Sequence, residues 1–182
     1  MKNTIVFACF ALLFTSCEGP PVATDIQGDR QFYMPQPSFL YFKNMRSTKY
    51  RETLNSSVNE PIFEFRRWER SSIDPQFIPQ IVCRLLTDEA FLRLQPNAIA
   101  DQCSKPFQIR MIGNSADTTL MELSLTSVQD QTKSARLLAA ALEAGSKIEI
   151  QETADSWFLL FQPEKDRQYF RITLSDYENL LN

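Results

Sequence analysis

Two short apolar alternations, Phe107-Gln108-Ile109-Arg110-Met111 and Met121-Glu122-Leu123-Ser124-Leu125, flank a stretch holding Gly113, Asn114, Ser115 and Asp117. No other feature constrains the fold of this chain as strongly. Alternation with period two places the apolar side chains of each arm on one face, and the turn-forming residues between them make the pair an antiparallel hairpin. An apolar face of that kind must be covered by another element. The segment Val128 to Ala144 supplies one. Ser127 with an acidic residue three positions on, Asp130, has the spacing of an N-terminal helix cap, and Gly145 is the expected terminator. Ala135, Leu138, Ala141 or Leu142, and Gly145 return at spacings of three and four, an apolar stripe whose small alanines permit close packing on a sheet.

The remaining segments are read mainly as strands. The folded body is expected to open at Ser38 with FLYFKNMRSTKYRE as an aromatic strand continuing through Tyr50, closed by the polar turn Leu54 to Pro61. In the next strand Phe63 and Phe65 point inward while Glu64 and Arg66 face out. Pro75 and Pro79 bracket a turn. Ile81 to Leu86 and Ala90 to Leu94 form a hairpin about Thr87-Asp88-Glu89, with a short helix capped by Thr87 as the alternative to the second arm. Ile148 and Ile150 alternate with charged neighbours. Trp157 to Phe161, apolar on both faces, is expected to be a central strand, Tyr169 to Leu174 a final strand, and Ser175 to Leu181 a helical tail. This order predicts an α+β domain, a mostly antiparallel sheet covered by one long helix, with a short C-terminal helix. Two stacked half-domains split between Pro96 and Pro106 are the alternative.

The start of the chain, MKNTIVFACFALLFTSC, carries Lys2 and then an apolar run from Ile5 to Phe14, too short for a span of about 20 residues and shaped like an export signal. Phe14-Thr15-Ser16-Cys17 resembles the lipobox of bacterial lipoproteins, in which small residues precede a cysteine that becomes the diacylated first residue. The resemblance implies a lipoprotein signal over residues 1–16 and a membrane anchor at Cys17. Residues 17–37, rich in proline and small polar residues, are read as a flexible tether, and residues 38–182 as a single domain. The segments Tyr41-Phe42-Lys43-Asn44-Met45-Arg46 and Tyr169 to Tyr177, behind such a start, resemble small exported lipoproteins of the Bacteroidetes. That likeness transfers no catalytic residue. It implies a place in the bacterial cell envelope on the periplasmic side of the inner or outer membrane, with only Glu18 matching a surface-export signal after the cysteine.

Chemistry is easier to exclude than to assign. With no histidine in the sequence, Ser-His-Asp, Cys-His and histidine-based zinc sites cannot be built from this polypeptide. A formal net charge of −3 gives no general attraction to nucleic acid, and no glycine-rich phosphate loop occurs. No metal or cofactor is called for. Of the four cysteines, Cys9 lies in the signal and Cys17 is assigned to lipid. Cys83 and Cys103 remain, either as a disulfide across a loop of about 20 residues or as buried free thiols. Carboxylate chemistry needs only two acids, for which Asp74, Asp88, Glu89, Glu122 and Asp155 are available, most of them in turns where solvation explains them. One surface is both aromatic and basic: Phe63-Glu64-Phe65-Arg66-Arg67-Trp68-Glu69-Arg70, with Lys43, Arg46, Lys49 and Arg51. Arg67, Trp68 and Arg70 are the candidate contacts for an envelope protein or glycan, since guanidinium groups beside an aromatic ring make an interface hot spot. The expected role is a noncatalytic binding or assembly module, with a carboxylate-dependent hydrolase of an envelope glycan as the alternative.

Overall fold

Period-two alternation builds two antiparallel sheets, seen in a computed structural model that describes residues 31–55, 58–71, 73–113 and 117–182. The signal segment, Cys17 and the tether as far as residue 30 lie outside the described residues. The first sheet is a meander in chain order: β1 (Tyr50–Asn55), β2 (Glu60–Phe65), β3 (Phe77–Arg84) and β4 (Glu89–Pro96). The second runs β6-β5-β7-β8, from β5 (Phe107–Ile112), β6 (Thr118–Leu123), β7 (Lys147–Thr153) and β8 (Ser156–Leu159). The hairpin read from alternation is present, with Phe107 opposite Leu123 and Ile109 opposite Met121. The β3–β4 hairpin is present too, with Ile81 opposite Leu92.

Among the described residues four α-helices complete the fold: α1 (Gln36–Tyr41), α2 (Ala98–Asp101), α3 (Val128–Glu143) and α4 (Glu164–Leu180). The α3 cap is formed as its sequence requires. The Asp130 amide donates to Ser127 Oγ at 3.0 Å, and Ser127 Oγ donates to Asp130 Oδ2 at 2.7 Å. Gly145 ends the helix with φ of 74°, a conformation that favours glycine. Gln131 ties α3 to its surroundings, accepting from the Leu94 amide and donating to the Leu125 carbonyl, each at 3.0 Å. α3 spans the two sheets, touching β4 on one and β6 and β7 on the other, while α4 lies on β3 and β4 beside it. The sheets divide between Pro96 and Phe107, where the sequence placed the alternative boundary, yet one apolar core joins them. Phe77 of β3 meets Phe107 of β5 edge-on at 5.2 Å within that core.

The single expected sheet is two, and four segments depart from their expected elements. Residues 36–49 are helical rather than extended: α1 continues into a wide turn, Phe42–Arg46, and a tight one, Ser47–Lys49, so β1 begins only at Tyr50. Pro79 lies inside β3, opposite Leu94, rather than in a turn. Trp157 to Leu159 belong to β8, which forms one edge of the second sheet. The expected strand Tyr169 to Leu174 and the short helical tail are one 17-residue helix, α4. Phe170, Thr173, Tyr177 and Leu180 are all nearly inaccessible and recur at spacings of three and four, so the buried stripe has helical period. Pro163 ends the extended approach just before the helix, and Glu164 and Asp166 lie in its first turn, where a helix N-terminus favours acids.

The compact unit starts at Phe32, ahead of Ser38. Tyr33 bridges to Glu89, the Met34 amide donates to the Asp88 carbonyl at 2.7 Å, and Met34 is buried. Phe32 also covers, with Val128, a small outer cluster of Ile62, Val82 and Phe91 that stand side by side across β2, β3 and β4.

Candidate functional site

The aromatic and basic stretch after Phe65 leaves the first sheet in a turn, closed by the Trp68 amide donating to the Phe65 carbonyl at 3.0 Å. That turn holds Arg66 and Arg67 at the surface beside Lys49, because the Arg66 amide donates to the Lys49 carbonyl at 2.8 Å. α4 forms the opposite wall with Gln168, Tyr169 and Ile172. Between them is a cleft of about 460 Å³, completed by Thr48 and Phe65. Tyr169 stacks on Phe65 with ring centroids 4.5 Å apart. Three cations line the cleft and no carboxylate does. Arg66 donates to the Tyr50 carbonyl at 3.2 Å, a neutral acceptor that leaves its charge uncompensated. A cleft with these walls attracts an anion and places aromatic rings beside it.

The three candidate contact residues are separated by the fold. Trp68 is only 5% exposed and packs in the core near Tyr169, so it supports the cleft from behind. Arg70 pairs with the buried Glu64 carboxylate at 2.8 Å. Glu64 does not face solvent as its alternation predicted: it also accepts from Gln80 Nε2 at 2.7 Å, while Gln80 Oε1 accepts from Arg93. Arg67 alone of the three lines the cleft. Tyr169 was concealed by the strand reading of its segment; the helical spacing of Phe170, Thr173, Tyr177 and Leu180 is the signal that places it next to the buried stripe.

Behind the cleft, Asp176 of α4 holds the N-terminal helical segment to the body. Its two oxygens accept from Arg46 Nε at 2.8 Å and from the Tyr50 hydroxyl at 2.7 Å, and it is almost fully buried. The hydrogen bond that Arg46 donates to Asp176 holds its guanidinium still more firmly protonated, and burial first, then the adjacent carboxylate, pushes the Tyr50 hydroxyl well up.

The acids fall elsewhere. Asp88 and Glu89 sit at the β3–β4 turn, Glu122 is exposed on β6, and Asp155 is exposed between β7 and β8. Asp74 does meet other acids, in a cleft of about 210 Å³ with Glu69 and Asp166. Asp166 is 2% exposed, and one of its oxygens accepts from Gln76 Nε2 at 3.2 Å while the other has no hydrogen-bond partner. Burial pushes its carboxyl up, against the smaller opposing pull of the Gln76 bond and Lys165. Asp74 is held by Ser71 Oγ at 3.0 Å and Gln162 Nε2 at 3.2 Å, and Glu69 pairs with Lys165 at 2.5 Å. Phe161 forms part of the wall in a left-handed conformation, φ 56°, with its ring buried against Phe170.

Cys83 and Cys103 are both buried free thiols. Burial pushes the Cys83 thiol up to about 12, which removes its nucleophilic form at neutral pH. Among the described residues no group of three or more cysteine, aspartate or glutamate side chains is placed to hold a metal ion, and no helix is long and apolar enough to cross a membrane. Comparison with protein-family models, curated proteins and solved structures finds no match to the chain.

Proposed function

We propose that this protein is an exported lipoprotein of a bacterial cell envelope, anchored through a diacylated Cys17, whose body is a noncatalytic module that binds an acidic glycan in the cleft of Lys49, Arg66 and Arg67. The observation that carries the reading is the charge of that cleft: three cations, an aromatic wall and no acid. An acidic saccharide matches it in both respects, since carboxylate or phosphate groups pair with the guanidinium groups and a sugar ring packs beside the Tyr169 ring that lines the cleft. Support for the anchor is the short apolar run followed by Thr15-Ser16-Cys17. Intact-mass analysis of the membrane fraction is expected to show loss of residues 1–16 and acylation at Cys17, and an unprocessed Met1 would sink the anchor. For the cleft, the test is binding of an oligogalacturonate to the purified full-length mature protein. Affinity should fall as salt rises and drop at least about tenfold, 1.4 kcal/mol, in Arg67→Glu, while Lys133→Glu on α3 leaves it unchanged. Equal loss in both variants would reduce the effect to general charge and overturn the site.

A second reading, hydrolysis of an envelope glycan by carboxylates, has one observation in its favour. Asp166 is a buried acid with a raised carboxyl next to Asp74 and Glu69, the contrast of environments that acid and base roles require. Acid-dependent cleavage of envelope glycan that is abolished in both Asp166→Asn and Asp74→Asn would establish it in place of the binding module.

A further inference from the structure

The turn between β3 and β4 carries two leucines. Hairpin turns favour glycine, asparagine, aspartate and proline, yet this one presents Leu85, 42% exposed, and Leu86, 88% exposed. Single exposed leucines need no explanation. These two have company: Leu85 lines a groove of about 200 Å³ with Met34, Phe39 and Leu40, and Leu40 is itself 57% exposed. α1, which carries Phe39 and Leu40, has no charged residue in its sequence Gln36–Tyr41. Of the charges nearby, Arg84 is paired with Glu60 at 2.7 Å and lies 3.9 Å from Glu89, and Asp88 lies on the groove rim. Because the nearby Arg84 is already neutralised by Glu60 and Glu89, a bilayer contact at this tip rests on the leucines lying among acyl chains and not on headgroup charge.

The path of the chain says what covers it. The Ala90 amide donates to the Phe32 carbonyl at 2.9 Å and the Met34 amide to the Asp88 carbonyl at 2.7 Å. The segment that leads back to Cys17 therefore joins the body within a few residues of the leucine turn. Residues 18–31 span at most roughly 50 Å when fully extended, so an acylated Cys17 keeps this end within reach of the membrane, at a high local concentration of lipid.

We propose that the β3–β4 turn and α1 form a bilayer contact surface, with Leu85, Leu86 and Leu40 inserted among acyl chains. The proposal rests on the lipid anchor proposed above and adds an orientation to it: the body lies against the bilayer by this end rather than swinging free on its tether. The test uses the mature, acylated protein reconstituted into vesicles of phosphatidylethanolamine and phosphatidylglycerol, carrying an environment-sensitive fluorophore at Leu86→Cys or at Leu120→Cys. Leu120 is 64% exposed on β6 and serves as the control, and the buried Cys83 and Cys103 take no label in the native fold. The label at Leu86→Cys is expected to shift to the blue and to be quenched by doxyl groups high on the acyl chains, and the label at Leu120→Cys to show neither effect. Water-like emission from both labels, in protein that floats with the vesicles, would overturn the contact and leave the anchor standing. Acylated protein that fails to float would remove both.

Discussion

Trp68 and Arg67 are adjacent in the chain and have opposite fates, and the difference is measurable. Trp68 is in the core beside Tyr169, so Trp68→Ala should cost about 3–5 kcal/mol in urea unfolding. Arg67 is exposed, so Arg67→Ala should change stability by no more than about 0.5 kcal/mol and act on anion binding alone. Asp166 makes a prediction about pH. Its carboxyl is raised in the fold by burial, so the native state holds the proton more tightly than the unfolded chain does. The stability this provides is fully present below the ordinary carboxylate range and is lost as pH rises through the raised value. Asp166→Asn should therefore be more stable than the wild type at neutral pH and lose that advantage toward about pH 3. An advantage that persists unchanged in acid would contradict the assignment.

At the scale of elements, the helices depend on single polar contacts at their ends and flanks. Ser127→Ala removes the acceptor for the Asp130 amide and the donor to Asp130 Oδ2, and should cost about 1 kcal/mol. Hydrogen bonds from Ser127 and Thr126 hold the Asp130 carboxyl below its usual range, so this contact strengthens above that range and weakens as pH falls through the lowered value. Asp176 fastens the segment Phe42–Arg46 and the start of β1 to α4. Asp176→Ala should cost about 3 kcal/mol, near the lower end for breaking a buried pair, because the Arg46 side chain is 31% exposed and can still reach water. A double-mutant cycle of Asp176→Ala with Tyr50→Phe should show coupling, since the Tyr50 hydroxyl is left without an acceptor in the single variant. α4 also explains why local reading failed at Tyr169 to Leu174. Over six residues its alternation of aromatic, charged and aliphatic side chains fits a strand as well as a helix; only the longer recurrence to Tyr177 and Leu180 separates the two periods.

For the molecule as a whole, one core joins two sheets, so opening either sheet exposes the other. Cys83 in the first sheet and Cys103 just ahead of the second should consequently resist thiol reagents together and become reactive in one step across the urea transition. Two separate labelling steps would show that the halves unfold independently. Patterns that close within a few residues were legible without coordinates: the β5–β6 and β3–β4 hairpins and the cap and terminator of α3 use neighbouring side chains and turn residues, and no distant partner is needed to form them. The helical opening at residues 36–49 was not legible, because Phe39 and Phe42 acquire their covering only when α1 and the turn after it fold against the body. The edge position of β8 was hidden for the same reason, since an apolar strand does not reveal which neighbours it lacks. The sequence by itself determined which segments carry apolar faces, where α3 starts and stops, and that histidine chemistry is absent. Tertiary structure alone decided that Trp68 turns inward, that Arg70 is taken by Glu64, and that Lys49, Arg66 and Arg67 share a cleft with Tyr169. Trp68 and the cleft cations meet a helix about a hundred residues further on, Arg70 and Glu64 are neighbours in sequence, and in every case burial and charge pairing act on distances in space that spacing along the chain does not set.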